Sequence, residues 1–101
     1  MRKPLSAAAS MFGERVRLAR VELGLSQETV AELALMHVTN YGKIERGVAN
    51  PSLLTILRIA GALDKDLAEL TDGITVDHLP EEFAVLSAAE FVRERERYRR
   101  S

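Results

Sequence analysis

The chain of 101 residues has no cysteine, no tryptophan and only two histidines. Without thiols it forms no disulfide and no thiolate metal site, which suits a reducing cytoplasm. His37 and His78 are far apart in sequence and have no cluster of further ligands around them, so we expect no metal site. The sequence also lacks a nucleophile–base motif and a glycine-rich phosphate loop, and we therefore expect neither an enzyme nor a cofactor.

Long apolar runs and a strong excess of one charge are missing as well. No stretch approaches the length needed to cross a membrane, and the N-terminus has no signal-peptide hydrophobic region, so we expect a soluble cytoplasmic protein. The formal net charge is -1 and the isoelectric point about 6.1, whereas a strongly basic chain would indicate a nucleic-acid partner directly. Residues 36–61 are nevertheless net positive, because Lys43, Arg46 and Arg58 outnumber Glu45. The charge therefore neither supports nor excludes a nucleic-acid partner.

Apolar residues recur at helical spacing along most of the chain, and this spacing predicts an all-α fold. In residues 10–23, Phe12 and Val16 fall on one side, and Gly24 then stops the helix. Pro80 suits the first position of a later helix. Four helices are predicted outside residues 25–51, and they cover 10–23, 52–63, 65–71 and 80–97.

The most informative segment is residues 25–51, which read LSQETVAELALMHVTNYGKIERGVANP. They describe two short helices joined by a tight turn. Ser26 is placed to cap the first helix, because a serine hydroxyl accepts a hydrogen bond from a free amide of the first turn. Val30, Ala31 and Ala34 then form the apolar stripe of that helix.

The second helix of the segment is predicted over about 37–46, and Gly47 ends it as a C-cap. Tyr41 and Ile44, three residues apart, form its buried side. The opposite side carries short or flexible side chains, namely Val38, Thr39, Asn40 and Lys43. The pair of helices therefore predicts a helix-turn-helix whose polar face is able to enter a DNA major groove.

The segment from Phe12 to about Asp72 resembles the Xre-type DNA-binding domain of phage repressors and Cro proteins. The residues that carry the resemblance are Arg20, Ser26-Gln27-Glu28, Ile44-Glu45-Arg46-Gly47, Asn50-Pro51-Ser52, Ile59-Ala60 and Leu63. They extend over more than half of the chain and are specific in combination. The resemblance implies a five-helix, lambda-repressor-like DNA-binding domain, to which the helix over 80–97 adds a C-terminal element.

The resemblance assigns DNA reading to the polar face of the second helix of the motif. Thr39 and Asn40 have groups that donate or accept at base edges, and Val38 has a branched side chain that fits a thymine methyl. Lys43 has the reach for a guanine or a phosphate. A polar outer face on an ordinary packed helix is the alternative interpretation.

Residues at the edges of the motif are assigned supporting roles by the same resemblance. Gln27 matches a position that touches a phosphate and braces the recognition helix. Arg46 matches a phosphate anchor, and Asn50 a contact from the following loop. Arg20 and Glu45 match an ion pair that ties the first helix to the end of the third, which is a structural role.

Three residues depart from the family pattern near the start of the recognition helix. Leu35 stands where a glycine is usual, so a left-handed backbone there would be strained. His37 replaces the usual Ser or Thr cap. Gly42 lies inside the recognition helix, where it costs about 1 kcal/mol relative to Ala, and it either permits close approach to DNA or is merely tolerated.

The sequence divides into an arm, a domain and an extension, which cover 1–9, 10–73 and 74–101. The arm is expected to be flexible, and its Arg2 and Lys3 favour either a DNA contact or an ordinary solvated terminus. In the extension, Phe83, Leu86 and Val92 give the predicted helix an apolar face. That face is available for dimerisation or for another protein.

The resemblance implies a sequence-specific transcriptional regulator, acting as a repressor or autoregulator and binding a palindromic operator as a homodimer. Its partners would be double-stranded operator DNA and a second copy of itself, with no membrane contact. Two alternatives remain open from the sequence. One is an antitoxin that binds a toxin through the segment after Gly73, and the other is a protein-interaction module that has this fold but does not bind DNA.

Overall fold

The computed structural model describes residues 3–100, and all of the regular secondary structure within them is helical. Six α-helices follow one another along the chain: α1 (Ala7–Glu22), α2 (Gln27–Leu33), α3 (Val38–Glu45), α4 (Leu53–Ala62), α5 (Leu67–Thr71) and α6 (Ala88–Arg100). Two short 3₁₀ helices, Val76–His78 and Glu81–Phe83, lie between α5 and α6. The prediction of an all-α fold, with five helices and a further C-terminal one, is confirmed.

Helix α1 begins earlier than the sequence predicted. The hydroxyl of Ser6 accepts a hydrogen bond from the amide of Ala9 at 3.0 Å, so the helix begins at Ala7 instead of Ser10. Just before it, the amide of Leu5 donates to the carbonyl of Gly47 at 2.8 Å. Residues 5–9, predicted as part of a flexible arm, are therefore attached to the domain, while Arg2 of that arm lies outside the described residues.

One apolar core holds α1 to α5 together. It is formed by the buried residues Phe12, Val16, Ala19, Val30, Ala31, Ala34, Tyr41, Ile44, Ile59, Ala60, Leu63 and Leu70. Helix α3 packs against α1 and α2, and α2 also packs against α4, while α5 closes the core on α1 and α4. The orientation of α3 is consequently fixed by two neighbouring helices.

The prediction of one helix over 80–97 is wrong for the first half of that range. Pro80 has an extended backbone (ψ 148°) and leads only into the 3₁₀ helix Glu81–Phe83. The α-helix begins several residues later, at Ala88, because the hydroxyl of Ser87 accepts a hydrogen bond from the amide of Glu90 at 3.1 Å and so supplies the cap that proline cannot. Phe83, Leu86 and Val92 therefore do not share one helix face, and all three are exposed.

Candidate nucleic-acid interface

The turn between α2 and α3 contains a leucine in the left-handed region. Leu35 has φ 59° and is exposed, whereas Ala34 before it is buried in the core. The amide of Met36 closes the turn by donating to the carbonyl of Ala31 at 2.9 Å. A non-glycine residue in this conformation costs on the order of 1–3 kcal/mol. The strain predicted at Leu35 is therefore present, and the packing on both sides of the turn maintains it.

Helix α3 begins at Val38 because His37 acts as its cap. The Nδ1 atom of His37 accepts a hydrogen bond from the amide of Thr39 at 3.1 Å, which is the role that a Ser or Thr usually has. At the other end, Gly47 has φ 73° and stops the helix. A Cβ atom on Gly47 would lie 2.9 Å from the Cα of Ser10, so α1 passes directly beside the end of α3.

Three of the four side chains assigned to DNA reading lie on the side of α3 opposite the core, where Thr39 and Asn40 are exposed and Lys43 is half-buried. Val38 is also half-buried, but it packs against the core. A depression of about 250 Å³ separates this part of α3 from the start of α4, and Asn40, Lys43 and the exposed Asn50 line it together. These three predicted residues, which come from α3 and from the loop after it, therefore share one concave surface.

Arg58 completes this depression, although the sequence pattern did not place it among the site residues. Its Nε donates to the carbonyl of Ala34 at 3.0 Å, and its guanidinium lies 3.3 Å from the hydroxyl of Thr55. These bonds hold a cation of α4 at the depression that Lys43 also lines. The only signal in the sequence was the positive charge of residues 36–61, which does not reveal that the two cations share one surface.

The glycine inside α3 makes room for Arg46. A Cβ atom on Gly42 would lie 3.1 Å from a terminal nitrogen of Arg46 and 3.6 Å from the side-chain oxygen of Gln27. Any larger residue would push that guanidinium away from the helix. The structure therefore adds a third interpretation of Gly42, in which a side chain of the protein itself fills the space above it.

A buried ion pair joins the end of α3 to α1. The Nε and Nη2 atoms of Arg20 donate to the two carboxylate oxygens of Glu45 at 2.7 and 3.1 Å, and Nη1 donates to the carbonyl of Leu25 at 2.9 Å. The Arg20 side chain is 16% exposed and that of Glu45 only 2%. Gln27 adds a hydrogen bond of 2.9 Å to Glu45. The resemblance gave Gln27 two roles, a phosphate contact and a brace of the recognition helix, and this hydrogen bond fits the second of them.

The protonation of this buried cluster is set by two opposing effects. Burial disfavours the charged carboxylate of Glu45, but hydrogen bonds from Arg20 and Gln27 outweigh it and hold the pKa of Glu45 below its usual range. Burial, and then the nearby Glu45 carboxylate, raise the pKa of Tyr41 well above its usual range. The cluster therefore contains an ionised Arg20–Glu45 pair beside a neutral tyrosine at neutral pH.

Gly13 allows α1 to lie against the end of α3. A Cβ atom there would overlap the carbonyl oxygen of Ile44 and would lie 2.6 Å from that of Glu45. No local pattern in the sequence distinguishes Gly13, because the residues that it meets, Ile44 and Glu45, are distant along the chain.

Across residues 3–100, no helix is long and apolar enough to span a membrane. Within the same residues, no three histidine or carboxylate side chains are grouped as metal ligands would be.

The fold and this surface together define a DNA-binding protein of the helix-turn-helix class. Residues 16–70 match the helix-turn-helix family HTH_3, and the chain belongs to that family. This family is that of the Xre-type, DNA-binding helix-turn-helix transcriptional regulators.

Two named proteins share part of the sequence. The prophage-derived HTH-type transcriptional regulator YonR of Bacillus subtilis (strain 168) is 38% identical over 53 residues, which are 52% of this chain and 49% of YonR. The chain therefore spans about half the length of that relative. The control protein C.SmaI of Serratia marcescens is 37% identical over 60 residues, which are 59% of this chain and 71% of the control protein.

Two solved structures have the same fold. The restriction-modification controller protein C.AhdI of Aeromonas hydrophila has a TM-score of 0.60 and 45% sequence identity, over 61% of this chain and 94% of the controller. The SinR protein/SinI protein complex contains a chain with a TM-score of 0.59 and 26% identity, over 88% of this chain and 94% of that one. The lambda-repressor-like architecture expected from the sequence is confirmed by these two matches.

Proposed function

We propose that the protein is a repressor or autoregulator that binds a palindromic operator as a homodimer in the cytoplasm. Each protomer would insert α3 into a major groove, with the two half-sites about one helical turn apart. The observation that supports this most strongly is the concave surface that Asn40, Lys43 and Asn50 of the motif form with Arg58 of α4. Two of the similar proteins are named as control or controller proteins, which supports a regulatory output.

Each side chain of the surface has a proposed role that follows from its position. Thr39 and Asn40 are exposed near the start of α3 and would read base edges, with Val38 beside them for a thymine methyl. Lys43 lines the depression and would reach a guanine or a phosphate. Arg46 and the loop residue Asn50 would contact phosphates. Gln27 already donates one amide hydrogen bond to Glu45.

Footprinting on the DNA upstream of the protein's own gene tests this proposal. We expect protection of two inverted half-sites whose centres are about 10 base pairs, or a multiple of one helical turn, apart. A single protected half-site would argue against a dimer, and uniform protection of the fragment would argue against sequence reading. Transcription from the same fragment should fall when the protein is added if it represses its own gene.

Dimerisation is supported by exposed leucines on α4. Leu53, Leu54 and Leu57 are exposed, although nothing in a five-helix core requires apolar side chains at these positions. Covering such surface contributes roughly 25 cal/mol per Å² of apolar area. A second copy placed across a two-fold axis would hide the same residues on both protomers and match a palindromic site.

We expect the double variant Leu54→Gln/Leu57→Gln to be monomeric and to bind operator much more weakly, while its helical content stays unchanged. Leu54 is 69% and Leu57 45% exposed, so neither substitution disturbs the monomer core. Solution mass and operator affinity, measured on the same samples, check this. Leu18→Gln on α1 is the matched control, since Leu18 is 49% exposed. A double variant that remains a dimer would exclude α4 as the interface.

A second candidate is a regulator whose C-terminal segment binds a different protein, such as the toxin of a toxin–antitoxin pair. The observation that favours it is that Phe91 and Val92 of α6 are exposed, and a similar fold has been solved as a complex of two different proteins. Under this alternative, Phe91→Gln/Val92→Gln leaves both the dimer and operator affinity intact.

A protein-interaction module without DNA binding would instead retain its activity when Lys43 and Arg46 are changed to glutamate.

A further inference from the structure

Helix α6 has two chemically different sides. Ala88, Phe91 and Val92 fall on one side at helical spacing. Arg93, Arg97 and Arg100 follow one another at i, i+4 and i+7 and therefore form a row on the opposite side, about 10 Å long at 1.5 Å per residue. We refer to these three residues as the arginine row.

The charge of α6 is opposite to that of the rest of the protein. The helix has five arginines and three glutamates, which is a net charge of +2, whereas the whole chain has a net charge of -1. Most of the acidic residues therefore lie outside α6, where they would repel phosphates. The positive charge is concentrated at the C-terminal helix and at the surface around α3.

The arginine row differs from the other two arginines of α6 in having no partner among the residues that the structure describes. Arg95 lies over the ring of Phe91, with its guanidinium carbon 5.8 Å from the ring centre. Arg99 forms an ion pair with Glu96 at 3.8 Å. The side chains of the arginine row are exposed, and among residues 3–100 none of them has a hydrogen bond, ion pair or ring contact. Three guanidinium groups are therefore free to bind an anion.

The chain approaches α6 from a point beside the reading surface. An apolar groove of about 500 Å³ is lined on one side by Leu79 and Phe83, which precede α6, and on another by Asn50 and Pro51 of the loop after α3. The same loop residues also line the depression that contains Lys43. The segment that leads to α6 thus leaves the domain next to the DNA-facing loop. The molecule is elongated, with a longest dimension of 62 Å, so the segment with α6 extends beyond the compact domain of α1 to α5.

We propose that the arginine row binds phosphates of the duplex outside the half-site that α3 reads. Guanidinium groups bind phosphate oxygens through paired hydrogen bonds, and such contacts position a protein on DNA without reading sequence. The inference rests on the proposed DNA-binding function and extends its interface from α3 to α6. It adds a sequence-independent contact, so a short duplex that contains only the half-sites lacks part of the binding surface.

The test compares two double variants of the full chain that remove the same charge from opposite sides of α6. Arg93→Gln/Arg97→Gln removes two members of the arginine row, and Arg95→Gln/Arg99→Gln is the control. The probe is a mixed-sequence duplex without operator, of about 40 base pairs, which is longer than two half-sites one helical turn apart would occupy. The affinity for this duplex is measured across salt concentrations. Removing two phosphate-binding cations should make the negative slope of log affinity against log salt shallower by about 1.8 per protomer. Between 1 M and 0.1 M salt, the variant would therefore gain roughly 60-fold less affinity than the wild type. The control should change the slope by less than half of that amount.

Three outcomes would overturn the proposal. Unchanged slopes in both variants would mean that α6 is not on DNA, and equal decreases would mean that only its overall charge matters. A decrease in slope together with a fall in solution mass from dimer to monomer would mean that the arginine row binds a second copy. Because the mixed duplex contains no operator, it does not test whether α3 reads the operator, and the footprint tests that separately. A normal footprint together with unchanged slopes would exclude the α6 contact and leave operator reading by α3 intact.

Discussion

The Arg20→Ala and Glu45→Ala variants should each lose roughly 3–5 kcal/mol of unfolding free energy, because each leaves the other charge buried without its partner. Arg20→Ala is the more severe of the two, since the carboxylate that it isolates belongs to a side chain that is only 2% exposed. DNA affinity should fall as a consequence, because the pair fixes the end of α3 against α1. Thermal and denaturant unfolding of both variants measure the effect.

The double variant Arg20→Ala/Glu45→Ala decides whether the two side chains act as a pair. It should be less destabilised than the sum of the single variants, since it leaves no isolated charge. Additive destabilisation would contradict the interaction. Gln27→Ala, which removes only one hydrogen bond to the carboxylate, should cost considerably less than either charge deletion.

The ion pair also predicts an acid-dependent part of the stability. The folded-state pKa of Glu45 is below its unfolded value of about 4.5, so its contribution is fully present above about pH 4.5 and is lost as the pH falls through the lower folded value. The unfolding free energy of the wild type should therefore decrease more steeply than that of Glu45→Gln as the pH falls below about 4.5. Parallel curves would mean that Glu45 does not change its pKa on folding.

Gly13→Ala should destabilise the protein by about 1–3 kcal/mol or more, since the added methyl group meets backbone that has no rotamer with which to move aside. The obstructing atoms are the carbonyl oxygens of Ile44 and Glu45. Moving α1 away from them would also shift α3, so operator affinity should fall along with stability. Denaturant unfolding and operator titration of the same variant measure both effects.

Gly61→Ala is the matched control for this substitution. Gly61 lies in α4 with nothing near the position of an added Cβ, so alanine there should raise stability by about 0.8–1 kcal/mol through helix propensity alone. Opposite signs for the two glycines would establish the close approach of α1 and α3. A stabilising Gly13→Ala would contradict it.

The parts of the fold that could be predicted from the sequence were those set by local signals. The cap of α2 and the glycine after α3 follow from rules that involve residues within four positions of each other, and the structure has them at Ser26 and Gly47. The strain at Leu35 was predictable for the same reason, because it depends on the backbone of one residue. The start of α1 was predicted too late, at Ser10. The small residues before Ser10 give no local signal for a helix start, and only the hydrogen bond to Ser6 fixes the start at Ala7.

The features that the sequence did not reveal depend on residues that are distant along the chain. Gly13 meets α3, and Arg58 joins Lys43 at one surface, only after the helices have packed, and neither arrangement has a spacing that a pattern could detect. In the tail, the apolar spacing of Phe83 and Val92 suggested one helix, but the cap at Ser87 divides it. Where local signals allow more than one helix, burial of an apolar face usually decides between them, and the apolar residues Phe83 and Val92 of the extension are exposed.

Sequence discrimination by α3 is the central claim, and the ratio of operator affinity to mixed-duplex affinity tests it most directly. Thr39→Ala and Lys43→Ala should each reduce this ratio by the equivalent of about 1–3 kcal/mol if their side chains touch bases. Arg46→Ala should weaken both DNAs alike and keep the ratio, since a phosphate contact is independent of sequence. Arg17→Ala, which removes an exposed cation paired with Glu14 on α1, is the control that should keep both affinities near the wild-type values. If Thr39→Ala and Lys43→Ala keep the wild-type ratio while the fold is intact, α3 does not read the operator.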